Sequence, residues 1–226
     1  MLESTITQLR TSTFPFEIIV SDGGSTDDTL AIAHTLADRV VANTSGTRQN
    51  IAIGRNAGAR VARGAFLLFL DADVTIPDPD TFLTSLIQLF EHEPDVVACT
   101  TALRVSPNAE TLTDAVVFTV INTTYYICNN ILGVAAASGE VQCMRTSTFM
   151  RVGGFAEHIV AAEDQEMFRR LRTHGQTRFV SSLTAYHTGR RMHATGLVPL
   201  MYEYGLNHFS VLLFGKSVSK EWKPIR

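Results

Sequence analysis

The run Phe66-Leu-Leu-Phe-Leu-Asp-Ala-Asp-Val-Thr75 carries five apolar residues straight into two carboxylates one residue apart. An unbroken apolar run of that length reads as a central strand of a parallel sheet, covered on both faces. In an open α/β sheet the carboxyl ends of such strands border the ligand crevice, so Asp71 and Asp73 are expected at the rim of a binding site. Where the chain turns, both can aim oxygens at one hard cation, and a metal held there would clamp a diphosphate. The same pair also suits a plain strand end, because Asp is favoured where a chain bends.

The surrounding pattern supports a sheet. Phe16-Glu-Ile-Ile-Val20 is a strand candidate, followed by a turn over Ser21 to Asp28 and a helix from Thr29 to Ala37, with Ser25 or Thr26 as the source of its cap oxygen. Arg39 to Ala42 reads as a second strand, and a helix follows from about Ile51 to Arg63, ended at Gly64. Strand, helix, strand, helix, strand at these spacings predicts an α/β fold with a doubly wound, mostly parallel sheet flanked by helices. Beyond Asp73, the turn Pro77-Asp-Pro-Asp80 leads into an amphipathic helix to about Glu93, and Val96 to Leu103 is a further strand. Glu163 to Arg172 is a charged helix that opens on two acids, a position its dipole favours and one that capping alone would also explain.

A chain of 226 residues, 45% hydrophobic, is long enough to bury a substantial core as one domain. Its formal net charge of -3 and pI near 6.1 argue against a nucleic-acid partner. Cys99, Cys128 and Cys143 are odd in number and widely spaced, as expected of small buried hydrophobes in a reducing compartment. Met1-Leu-Glu-Ser-Thr has neither a basic start nor an apolar h-region, so a cytoplasmic location is the expectation. Ala115 to Gly139 is uncharged and long enough to cross a bilayer, but Asn122, Thr123, Thr124, Asn129 and Asn130 would be penalised by hydrocarbon unless paired. It is therefore expected to be buried or interfacial.

Assembled in order, the motifs resemble family 2 of the inverting nucleotide-sugar glycosyltransferases, with the GT-A fold. The resemblance runs from Phe16 to Arg191 through Ile-Ile-Val-Ser-Asp22-Gly-Gly-Ser-Thr-Asp-Asp-Thr, Arg55-Asn56-Ala-Gly58, Leu70-Asp71-Ala-Asp73, Val152-Gly-Gly-Phe155 and Glu163-Asp164 ahead of Arg-Leu-Arg172. It implies a catalytic domain over residues 1–196 and a C-terminal amphipathic helix with a basic tail over 197–226.

The resemblance also implies roles. Asp22 would accept a hydrogen bond from the nucleotide base, although it could equally form a local turn before the two glycines; Gly23 stands where many relatives carry a second Asp. Arg55 and Asn56 would contact the nucleotide and its phosphates. Asp73, with Asp71, would hold Mg or Mn against the diphosphate, Asp71 reaching ribose or a metal-bound water. Asp164 would be the general base for the acceptor hydroxyl, with Glu163 supporting it. In Tyr186-His187-Thr-Gly-Arg190-Arg191, His187 is a candidate metal ligand, and Arg190 and Arg191 are candidate phosphate clamps. The glycines at 133–139 and 153–154 would frame an acceptor pocket for a sugar, lipid-phosphate or protein acceptor. Leu197 to Phe214, followed by Lys216 and the Lys-Glu-Trp-Lys223 run, could lie in a membrane interface or pack on the domain's own core.

One departure carries a structural expectation. The family's first hydrophobic strand, which ends in Pro-x-Tyr/Phe-Asn-Glu, has no counterpart here, because Met1 to Arg10 reads as the helix that should follow it. Either the start lies further upstream, or the sequence is a fragment, or the domain lacks a sheet member; without that strand, hydrogen-bonding edges are exposed and the base pocket is depleted. A catalytically impaired nucleotide-sugar-binding domain is thus one alternative. A haloacid-dehalogenase-type phosphatase using Asp71 as nucleophile is another, weakened because no Lys precedes position 216.

Overall fold

The computed structural model describes residues 1–221. Helix α1 (Leu2–Leu9) is followed by β1 (Ile19–Asp22), α2 (Thr29–Leu36), β2 (Arg39–Ala42), α3 (Ile51–Val61) and β3 (Phe66–Leu70). Next come α4 (Pro79–His92), β4 (Val96–Val105), and α5 (Leu112–Tyr126), which runs on into a π-helical turn, Ile127–Leu132. The chain then forms β5 (Val141–Arg145), α6 (Thr146–Arg151), α7 (Glu163–Arg172), β6 (Gln176–His187), α8 (Arg190–Thr195) and α9 (Leu197–Phe214).

Capping explains several of these starts. Asn50 accepts from the Ile53 N–H at the head of α3, Asp78 accepts from the Thr81 N–H at α4 with Pro79 beside it, and Thr111 and Asp114 form a reciprocal capping box on α5. Helix α2 differs from expectation: its N-cap is Asp28 with no side-chain cap bond, and Ser25 belongs instead to the turn closed by Asp22, to which its N–H donates. Helix α3 stops at Val61, where Ala62 turns extended, rather than running to Gly64.

The α/β alternation is as expected, but the strands fall into two groups. β1 pairs in parallel with β2, and a four-stranded sheet has the order β3-β5-β4-β6, with β4 and β6 parallel and β5 antiparallel to both its neighbours. The expectation that β3 is a central strand of a parallel sheet is therefore corrected: it lies at a sheet edge, beside an antiparallel partner. Only Leu67 of β3 is buried, the other four residues being half-buried. The cause is a cavity of about 1410 Å³ lined by both β1 and β3 together with Leu2, Thr5, Ile6 and Leu9 of α1. Two unpaired strand edges border this gap, which agrees with the expected missing sheet member.

Apolar side chains pack on both faces of the four-stranded sheet. Ile6, Phe82, Leu86 and Phe90 from α1 and α4 cover one face with Cys99, Leu103 and Cys143. Ala52, Ala59, Phe149, Met167, Phe168 and Leu171 from α3, α6 and α7 cover the other with Val97, Ala98 and Met144. The cysteines are free; Cys99 and Cys143 are buried as expected, whereas Cys128 is only half-buried. Helix α9 occupies the predicted range, between Gly196 and Gly215 at positive φ, with much of its apolar surface exposed. Trp222 and Lys223 of the expected tail lie outside the described residues. The stretch expected to be buried or interfacial, α5 and its π-helical turn, packs on β4 and β6 along one side and is open along the other.

Candidate active site

The acidic pair follows β3 in a tight turn. The Asp71 N–H donates to the Glu140 carbonyl at 3.1 Å, the Val74 N–H closes back on Asp71, and Thr75 exchanges two backbone hydrogen bonds with Tyr186 of β6. Thr5 of α1 donates from its hydroxyl to the Ala72 and Val74 carbonyls, each at 3.0 Å. Held from two sides, the turn sends the two carboxylates to different cationic partners.

Asp71 meets Arg55. Helix α3 delivers this guanidinium to three acceptors at once: Asp71 Oδ1 at 3.1 Å, Glu163 Oε1 at 3.2 Å and the Gly139 carbonyl at 2.6 Å, with its carbon 5.4 Å from the centre of the Phe155 ring. Arg55 and Glu163 are buried at 11% and 7% side-chain exposure, whereas 46% of the Asp71 side chain meets solvent. Burial opposes the charge on Arg55, but Asp71, Glu163 and Asp164 outweigh it and hold the guanidinium protonated. The Asp71 carboxyl is pushed upward by the burial of its inner side, with Arg55 pulling the other way.

Asp73 meets the end of β6. Its Oδ2 accepts from the Thr188 hydroxyl at 2.7 Å and from Arg190 Nη2 at 3.0 Å. Burial works to raise its pKa, yet these donors prevail and keep it below the ordinary range. Next to it, His187 Nδ1 accepts from the Gly189 N–H at 3.2 Å, which makes Nε2 the protonated nitrogen of the neutral ring. That Nε2 is buried without a partner, the ring packs edge-on against Phe118, and burial lowers the pKa.

The third component is the head of α7. Ala162, its N-cap, sits at φ +65° and is the one non-glycine residue at positive φ among the described residues. No side chain caps this helix, so the capping role of Glu163 and Asp164 is not realised: Glu163 turns to Arg55, and Asp164 accepts from its neighbour Gln165 N–H at 2.8 Å. Burial raises both acids. Glu140, missed in the sequence, joins them, pushed up to about 7 by burial and by Asp71. Tyr125 and Tyr204 stand near Asp164 and Glu140, and burial raises both phenols. One signal for Glu140 existed: it is the acid that ends the uncharged stretch begun at Ala115.

Two predicted residues are not brought into this cluster. Asp22 is 4% exposed and spends its oxygens on the Gly24 and Ser25 N–H groups, the local turn that its sequence setting allowed. Burial would raise its pKa, but these hydrogen bonds lower it. Asn56 is turned into the Gly153–Phe155 loop, donating to the Phe155 carbonyl and Glu157 Oε1 and accepting from the Phe155 N–H at 2.8 Å, which anchors that loop to α3.

Among the described residues no group of three His, Cys, Asp or Glu side chains forms a ready metal cage. Asp71 and Asp73 nevertheless fit Mg or Mn in kind, since such ions are commonly held by one or two carboxylates, with water and substrate phosphates completing the shell.

The fold has solved counterparts. A mannosyltransferase from Pyrobaculum calidifontis, solved with GDP-Man and Mn2+, superposes with a TM-score of 0.73 at 18% identity, covering 94% of this chain and 60% of that one. The Staphylococcus aureus protein TarS, residues 1–349 with UDP-GlcNAc, gives 0.63 at 18% identity, covering 97% and 64%. These likenesses show the GT-A fold. In sequence, a PGL/p-HBAD biosynthesis glycosyltransferase of Mycobacterium bovis (strain BCG / Pasteur 1173P2) is 39% identical over 83 residues, 35% of this chain and 32% of that protein. The O-antigen chain rhamnosyltransferase WbaN of Salmonella anatum is 27% identical over 168 residues, 70% and 51%. The chain thus spans about a third of the mycobacterial relative and half of WbaN. The model of glycosyl transferase family 2 matches residues 1–150, and the chain belongs to that family.

Proposed function

We propose that the chain is a glycosyltransferase that moves a sugar from a nucleotide-diphosphate donor to an acceptor hydroxyl with inversion. The observation that carries this reading is the joint at Arg55, where one guanidinium ties the acidic turn after β3 to the acids that open α7. A diphosphate beside the turn and an acceptor beside Asp164 would then be neighbours.

Asp164, with burial holding its proton affinity up, takes the hydrogen of the acceptor hydroxyl. The acceptor oxygen bonds to the anomeric carbon as the bond from that carbon to the diphosphate breaks, and the electron pair leaves with the nucleoside diphosphate. Arg190, which already reaches the Asp73 carboxylate, is a donor suited to the negative charge that develops there. A divalent cation at Asp73 and Asp71, when bound, supplies further neutralisation of that charge. Asp22 and Asn56, each holding a loop by its own hydrogen bonds, are assigned to the nucleotide side of the donor, Asp22 to the base. If the acceptor is a lipid phosphate, its oxygen is already anionic, and Asp164 orients the site instead.

GDP-Man, UDP-GlcNAc and Mn2+ are bound by the structural neighbours, which supports a nucleotide sugar and a divalent cation without selecting a base. A cytoplasmic site of action, peripheral at the inner membrane face through α9, belongs to the same proposal. Calorimetric titration of UDP and GDP with and without manganese, alongside nucleotide-diphosphate release, tests it. Asp73→Ala is expected to remove the manganese-dependent part of binding. Asp164→Asn should retain donor binding and lose about 10²-fold or more in transfer to a hydroxyl. Wild-type behaviour in both variants would overturn the assignment.

A further inference from the structure

Helix α5 and its π-helical turn are built inside out. Asn122 clamps the edge of β4, accepting from the Leu103 N–H at 3.1 Å and donating to the Leu103 carbonyl at 3.0 Å. Asn130 does the same to Phe179 of β6, with both bonds at 2.9 Å. Asn129 is buried, bonded to the Tyr125 and Ala136 carbonyls and to the Thr177 hydroxyl. The outer side carries Val116, Val120, Ile131 and Leu132, each more than half exposed. The hydroxyls that share it are closed back on the helix itself: Thr119 on the Ala115 carbonyl, Thr123 on Thr119 and Thr124 on Val120, at 2.7 to 2.8 Å. The one acid, Asp114, is 1% exposed.

Helix α9 repeats the arrangement. Asn207 is buried, donating to the Glu203 carbonyl and the Ser219 hydroxyl and accepting from the Val218 and Ser219 N–H groups. Val198, Tyr202, Phe209, Leu213 and Phe214 are exposed. Helix α9 packs on α7 and α8, and α8 joins it to the head of α5 through His193, which bonds Asp114 at 2.9 Å.

A helix facing water turns its polar side chains outward, and contiguous apolar stripes on adjacent helices mark a docking surface. A protein partner would ordinarily exchange about one hydrogen bond per 100–200 Å² of such a surface. The α5 part of this one carries no exposed carboxylate, and the hydroxyls of Thr119, Thr123 and Thr124 are already satisfied. Lys216, exposed just beyond the end of α9, suits anionic headgroups, whereas Lys220 and Glu221 border the cavity between β1 and β3. We infer that α5, the π-helical turn and α9 form a single face that docks on an anionic lipid bilayer, lying in the interface with the carboxylate cluster opening beside it. Resting on the glycosyltransferase reading, the arrangement assigns the acceptor to molecules with a lipid anchor.

Flotation of the full chain with vesicles of phosphatidylcholine, with and without about one third phosphatidylglycerol, tests the face. The chain is expected to float with the anionic vesicles. The V120E/I131E double variant in α5 and the π-helical turn should lower the bound fraction roughly tenfold, as should L213E/F214E in α9, with unchanged circular dichroism and thermal transition. UDP and GDP titrations with manganese, unchanged in both variants, separate failure of the face from failure of the enzymatic reading. Wild-type protein that stays out of the vesicle layer would overturn the inference. So would V120E/I131E protein that floats like wild type, or a wild-type dimer in sedimentation equilibrium that V120E/I131E dissolves.

Discussion

Arg55 satisfies two carboxylates and a carbonyl with one planar group, a geometry that a lysine's point charge does not reproduce. Removing it leaves Glu163 buried with no opposite charge. Arg55→Ala is therefore expected to destabilise the chain by about 3 kcal/mol, the low end for breaking a buried pair because Asp71 is half open to water. Urea unfolding checks this, and adding Glu163→Gln should recover part of the loss as a coupling of about 1 kcal/mol. The two singles adding with no coupling would show that the pair is not an energetic unit. Gly154 offers a second test: it has φ +74°, and a Cβ there would lie 2.6 Å from Asn56 Oδ1. Gly154→Ala should cost about 2 kcal/mol or more by the same measurement, through backbone strain and the displaced Asn56 together. Arg55, Asp71 and Asp164 were legible in the sequence because each sits in a motif of fixed spacing. Asn56 stands in a motif too, but its turn into the Gly153–Phe155 loop depends on a contact 99 residues away that no spacing encodes.

The head of α5 decides how the outer face is anchored. Thr111 and Asp114 close a capping box there, and Asp114 also meets His193. Burial acts to raise the Asp114 pKa, but the Thr111 backbone N–H and the His193 bond outweigh it, so the folded value lies below the unfolded one. A depressed carboxylate contributes stability that is present above its unfolded pKa and is lost as pH falls through the folded value. Asp114→Asn should therefore lower stability by about 1 kcal/mol at pH 7, and the gap from wild type should close as the pH is taken below about 4. Thermal unfolding across that range checks the sign, and a gap that widens in acid would contradict it. Element bounds such as those of α7 were legible because charge marks both ends, with acids in its first turn and arginines in its last. The orientation of α5 was not, because an uncharged stretch gives no polar face to read. Its inward side is set by Asn122 and Asn130 finding the edges of β4 and β6, which exist only once the sheet has formed.

Across the whole molecule the strand groups divide by how many neighbours each strand has. β4 lies between β5 and β6, whereas β1 has only β2 and β3 has only β5, and the free edges of both border the 1410 Å³ cavity. The order of elements was legible from the alternation of apolar runs and caps. The gap followed from the absent family strand, but the edge position of β3 did not, because its uniform apolar run reads the same whether a second neighbour is present or not. In a two-stranded parallel or antiparallel ladder, alternate amides along each strand point away from the partner. Those amides in Ile19–Asp22 and Phe66–Leu70 have only the cavity to face, and local opening there requires little of the molecule to unfold. Amide exchange followed by NMR should find them on the order of 10²-fold faster than the amides of Ala98–Thr101 in β4, with slower positions alternating between them. Uniform protection along β1 and β3 would mean that the two strand groups close on one another in solution, leaving no strand-wide gap between them.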